Sequence, residues 1–159
     1  MHDGRRATRA HAFTLIELSM VLVIIAILAT LVAPRYGEAI ARARVAAAAD
    51  RVVAECDRAR AQARATSESW LIAFDAANDT LFRRDVALLR PMTASQTIAL
   101  SDEPYRTDIL SAALDDGGAS VEFDLFGRPD TGAAIRLQSG VATRRVRIEA
   151  STGVIEVDR

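Results

Sequence analysis

The chain has 159 residues, 50% of them hydrophobic, and a formal net charge of −1 at pH 7. That balance excludes a broadly basic nucleic-acid-coating protein, and the lone cysteine, Cys56, excludes an intramolecular disulfide. The only histidines, His2 and His11, lie near the N-terminus, so the body of the chain has neither a histidine metal site nor a histidine base.

Residues 1–12 set Arg5, Arg6 and Arg9 against Asp3. This small positive segment precedes an apolar run from Phe13 to Ala33, 21 residues long. As a helix at ~1.5 Å per residue the run reaches about 31 Å, matching a hydrocarbon core of roughly 30 Å. Positive charge before such a run predicts a cytoplasmic N-terminus and a translocated C-terminal part. No A-x-A triplet closes the run; Ala33 is followed at once by Pro34, so an ordinary secretory cleavage is not expected. Two readings stay open: an uncleaved anchor, or a leader removed before the apolar helix.

Residues 34–66 are rich in Ala and Arg and have high summed helix propensity. Ile40, Ala43, Ala47, Val45, Val52, Cys56, Ala59 and Ala63 form an apolar stripe, while Arg42, Arg44, Asp50, Arg51, Glu55, Arg58 and Arg60 fill much of the remainder. The spacing predicts a helix ending near Thr66-Ser67, with Cys56 as a small buried side chain. Short strands follow at Trp70–Phe74 and Thr80–Arg83 around Asn78-Asp79, with a weaker one at Thr97–Leu100. A helical turn is expected near Ile109–Leu114, then a turn at Asp116-Gly117-Gly118.

Alternation next predicts strands at Ser120–Phe126, Ala133–Gln138 and Arg144–Glu149, and a last one at Val154–Val157 after the Ser151-Thr152-Gly153 turn. Val121, Phe123 and Leu125 would share one face. The fold class is α+β: a long N-terminal helix, half membrane and half amphipathic, packed on an antiparallel β-sheet head spanning residues 67–159.

Glu17 is the chemical anomaly. Five residues into the run, it is a carboxylate in an apolar span, which costs several kcal/mol, on the order of 3 on insertion scales. Its helical neighbours, Phe13, Thr14, Met20 and Val21, offer no cation. Cleavage between Ala12 and Phe13 would create an α-amine four residues before Glu17. Two staggered copies could then pair the amine of one with the carboxylate of the next, which would set the register of an assembly.

The segment FTLIEL, preceded by a small residue and a basic leader and continued by an unbroken apolar run, resembles the class III signal of type IV pilins and type II secretion pseudopilins. The resemblance implies that a prepilin peptidase cuts before Phe13 and N-methylates it. It also places the family's glutamate at Glu17 and its helix proline at Pro34. Ala12 departs from the family's usual glycine before the cut. FDLFGRPDTGAAIRL (123–137) and RRVRIEASTGVIEV (144–157) further resemble the GspH/FimT group. Read alone, Pro34 is also explained as a helix-exit residue, and Gly127-Arg128-Pro129 as a structural turn.

The resemblance implies a minor pseudopilin of a type II secretion system. It would lie in the inner membrane as a single-pass protein with a periplasmic head, and join other pilins or pseudopilins in a periplasmic pseudopilus. Its partners are the prepilin peptidase, those subunits and the inner membrane; no cofactor or metal is expected. The alternatives are a minor pilin of a type IV pilus that takes part in DNA uptake through Arg144, Arg145 and Arg147, or a single-pass protein that never assembles. Nucleic acid is disfavoured because residues 71–159 carry a formal charge of −4. The same three arginines are more simply a solvated strand face paired with acids such as Glu156 and Asp158. No histidine, activated cysteine or phosphate-binding glycine loop supports an enzyme, and the Asp115-Asp116 spacing matches no calcium-binding loop.

Overall fold

The computed structural model describes residues 14–86 and 97–158, apart from the side chains of 31–34. They fall into two units, one running up to Gly37 and one beginning at Glu38. The leader, Ala12 and Phe13 lie outside the described residues, as does the side chain of Pro34.

Helix α1 runs from Leu15 to Thr66. Thr14 starts it: its carbonyl accepts from the Leu18 N–H at 3.2 Å, and its Oγ1 lies 3.3 Å from the Glu17 N–H, in an N-capping role. The end at Thr66 agrees with the propensity reading, and Ser67 follows at a positive φ of 56°. Pro34 lies inside α1 rather than at its exit. A proline there has no N–H to give the preceding turn, a gap that membrane helices tolerate where other groups satisfy the carbonyl.

From Glu38 onward the chain builds the head. Val45, Ala48, Ala49, Val52, Cys56, Ala59 and Ala63 form the buried stripe of α1. Ala43 and Ala47, expected in that stripe, are exposed. Burial follows the Val45-Ala48-Ala49-Val52 face, and the small residues on it let the sheets approach the helix closely.

Two four-stranded antiparallel sheets, rather than one, complete the core. Strands β1 (Trp70–Asp75), β2 (Thr80–Asp85), β3 (Thr97–Ala99) and β5 (Ser120–Phe123) form the first, in the order β3-β2-β1-β5. Strands β4 (Asp108–Leu114), β6 (Ala133–Ser139), β7 (Ala142–Ile148) and β8 (Ile155–Asp158) form the second, in the order β4-β6-β7-β8. The chain leaves the first sheet after Phe123 because β5 pairs with β1, not with β6. The carboxylate of Asp79, in the β1–β2 turn, accepts from the Ile109 N–H at 2.7 Å and ties the two sheets together.

Ile109–Leu114 is strand, not a helical turn. Ile109 and Leu114 are buried on β4, and a register shift between Ile109 and Ser111 breaks the alternation that would have marked it as a strand. Ser120–Phe126 shortens to β5. Asp124 ends it by accepting from the N–H groups of Phe126 at 2.9 Å and Arg128 at 2.8 Å, while Gly127 turns with a φ of 71°. Leu125 therefore leaves the core face and is 46% exposed.

The remaining strands lie within a residue or two of their expected limits. Phe123, Ile72, Leu81, Ile135, Leu137, Val146 and Ile148 fill the space between helix and sheets. Truncating Phe123→Ala should cost about 3–5 kcal/mol in urea unfolding, whereas Leu125→Ala should shift stability by under about 1 kcal/mol. Equal losses at the two positions would show that the β5 turn is misplaced.

Candidate functional site

The N-terminal part of α1 is one candidate surface. Every described side chain from Thr14 to Thr30 is exposed, including Leu15, Ile16, Met20 and Ile27. By length and composition this helix can cross a membrane. The polar side chains within it turn back onto the backbone. Ser19 donates to the Ile16 carbonyl at 2.8 Å and Thr30 to the Ile27 carbonyl at 2.7 Å, so neither hydroxyl is left bare in an apolar medium. Glu17 differs, since its exposed carboxylate has no ion pair among the described residues.

A second glutamate on the same helix is handled in the opposite way. Glu55, expected among the outward-facing charges, is buried. Its Oε1 accepts from Arg58 Nη1 at 2.6 Å and pairs with Arg51 Nη2 at 2.9 Å, and its Oε2 accepts from Arg83 Nη1 of β2 at 3.0 Å. Arg83 also lies over the Trp70 ring, 5.8 Å from its centroid. The cluster clamps α1 to the first sheet. Sequence reasoning missed it because Arg83 is far away along the chain; the local signal was the spacing of Arg51 and Arg58 around Glu55.

Cys56, beside it, is buried and has no disulfide partner. Burial first, then the charges of Asp57 and Glu55, push its thiol up to about 12, which leaves it unreactive at neutral pH.

The three strand arginines are not brought to one face. Arg145 and Arg147 point to the outer face of the second sheet, opposite the buried Val146 and Ile148. Arg144 has the parity of Val146 and falls on the other face. The register sets Asp158 opposite Arg145 and Glu156 opposite Arg147, as the solvated-face reading expects. It also sets Arg136 opposite Arg145, an added cation that spacing along the chain could not reveal. Gly127-Arg128-Pro129 is a structural turn: a Cβ on Gly127 would lie 2.6 Å from Arg64 Nε, so only glycine lets this turn meet the helix.

The prokaryotic N-terminal methylation motif matches residues 8–33. With the fold, this makes the chain type IV pilin-like. Among solved structures, the type IV minor pilin FimU of Pseudomonas aeruginosa (strain PAO1) is similar in two crystal forms. The first has a TM-score of 0.55 at 16% identity, covering 74% of this chain and 90% of that one. The second has a TM-score of 0.52 at 14% identity, covering 71% of this chain and 91% of that one. No curated protein matches the chain.

Replacing Glu55→Gln should lower head stability by about 3–5 kcal/mol, because three guanidiniums lose their shared charge. Urea denaturation monitored at Trp70 would measure it. A change below about 1 kcal/mol would mean that the cluster is a surface ion pair in effect.

Proposed function

We propose that this chain is a minor pseudopilin of a type II secretion system. In this reading it is inserted as a precursor in the inner membrane, with residues 1–12 cytoplasmic and the head periplasmic. A prepilin peptidase removes the leader after Ala12 and methylates the new N-terminus at Phe13. The mature helix 13–33 then packs with other pilin-like subunits, and the β-rich head contributes surface to a periplasmic fibre that helps export folded proteins.

The observation that carries the proposal is Glu17: an exposed carboxylate in an apolar helix, within the methylation motif and without an ion pair among the described residues. An α-amine is largely protonated at pH 7 and supplies the missing cation. Pairing between neighbouring subunits removes the desolvation cost only at the correct stagger, so the charge selects register. Pro34, which has no N–H, leaves the helix one backbone hydrogen bond short at the end of the apolar run.

A pilus minor pilin in DNA uptake is the second reading, and the likeness to FimU is compatible with it. Acidic residues opposite Arg145 and Arg147 weigh against it, because they dilute the positive field that phosphate contact requires. The non-assembling reading leaves Glu17 without a reason.

Co-expression with a prepilin peptidase should shorten the chain by residues 1–12 and expose Phe13 to N-terminal sequencing. In the same cells, Glu17→Val should insert normally but lose cysteine crosslinks to partner subunits. An unshortened chain, or crosslinks unchanged by Glu17→Val, would defeat the assembly reading.

A further inference from the structure

Where the C-terminal turns of α1 meet the loops after β5 and β7, the head has a cleft of about 260 Å³. Arg60, Arg64 and Arg128 line it, together with Phe126 and the backbone around Gly153. We infer that this cleft is a docking site for a carboxylate-bearing segment of a neighbouring pilin-like subunit, an inference that rests on the assembly reading above.

The arginines are held in place rather than free. Arg64 Nε donates to the Phe126 carbonyl at 2.8 Å, and Arg60 Nη1 donates to the Gly153 carbonyl at 3.1 Å. Two glycines with positive φ, Gly127 and Gly153, bring the loops onto these side chains. A Cβ at Gly127 would also come within 2.8 Å of Arg60 Cγ, and one at Gly153 within 3.5 Å of Arg60 Nη2. Each helix arginine thus spends one N–H on fixing the loop and keeps terminal N–H groups for another acceptor. A guanidinium fork fixed in this way suits bidentate capture of a carboxylate and loses little entropy on binding.

The nearby acids keep their charge but do not pair with these arginines: Asp124 Oδ1 accepts from the backbone N–H groups of Phe126 and Arg128, and Glu149 Oε2 accepts from the Thr152 hydroxyl at 3.0 Å. Arg60, Arg64 and Arg128 take part in none of the ion pairs among the described residues. Beside them Phe126 is 64% exposed, an apolar anchor of the kind that interfaces combine with arginine. Charge complementarity therefore selects an acidic partner segment, with an apolar residue to cover Phe126.

The test uses the full chain in detergent micelles, titrated by calorimetry with a synthetic peptide of alternating Glu and Phe. Its Gln-Phe counterpart, inorganic phosphate and duplex DNA serve as competing probes. The Glu-Phe peptide should bind, the Gln-Phe peptide should bind roughly tenfold more weakly or not at all, and added salt should weaken binding. Arg128→Gln, whose side chain supports no described fold contact, and Arg64→Gln should each reduce affinity about tenfold.

Equal binding of the two peptides, no binding of either, or tighter binding of phosphate or duplex than of the acidic peptide would overturn the assignment. So would affinity unchanged in both variants. Loss of peptide binding with leader removal and Glu17-dependent crosslinks intact would reject the cleft alone. Peptide binding that persists when those crosslinks are absent would uphold the cleft and reject the assembly reading.

Discussion

A carboxylate exposed on an apolar helix is tolerable in lipid only when a cation reaches it. The turns of α1 around Glu17 contain none. Neutralisation by protonation would remove the charge but leave a polar group among methyl and methylene surfaces, still short of a partner. A partner amine does more, because it answers the charge at one relative position of two helices and at no other. The exposed run around Glu17 and the methylation motif are both intelligible from that requirement.

The same helix shows what happens when the partner is supplied within the chain. Glu55 is surrounded by Arg51, Arg58 and Arg83, with contacts of 2.6 to 3.0 Å, and is buried as a consequence. That arrangement fixes α1 against β2 and makes the head a unit with its own core, formed from Glu38 onward. One glutamate is satisfied by folding, and the other has no ion pair among the described residues.

Much of this was legible in the residues. The end of α1 at Thr66, the β1–β2 hairpin and the buried alternation of Ile135, Leu137, Val146 and Ile148 follow from periodicity and turn chemistry. What periodicity missed has physical causes. The shift between Ile109 and Ser111 hid β4, because a bulge destroys the period-two signal. Leu125 read as core until Asp124 captured the N–H groups of the turn. Glu55 read as solvent-facing because one of its partners, Arg83, comes from a distant strand, and the pairing of Arg136 with Arg145 likewise exists only in the sheet. The split into two sheets depends on β5 choosing β1, a long-range preference that no local pattern encodes.

The most direct measurement is a high-resolution electron cryomicroscopy map of the assembled fibre containing the mature subunit. In that map the Phe13 amine of one subunit should lie within ion-pair distance, about 4 Å, of a Glu17 carboxylate on a neighbour. A map in which Glu17 faces lipid, with no amine in reach and the subunits still in regular register, would contradict that pairing.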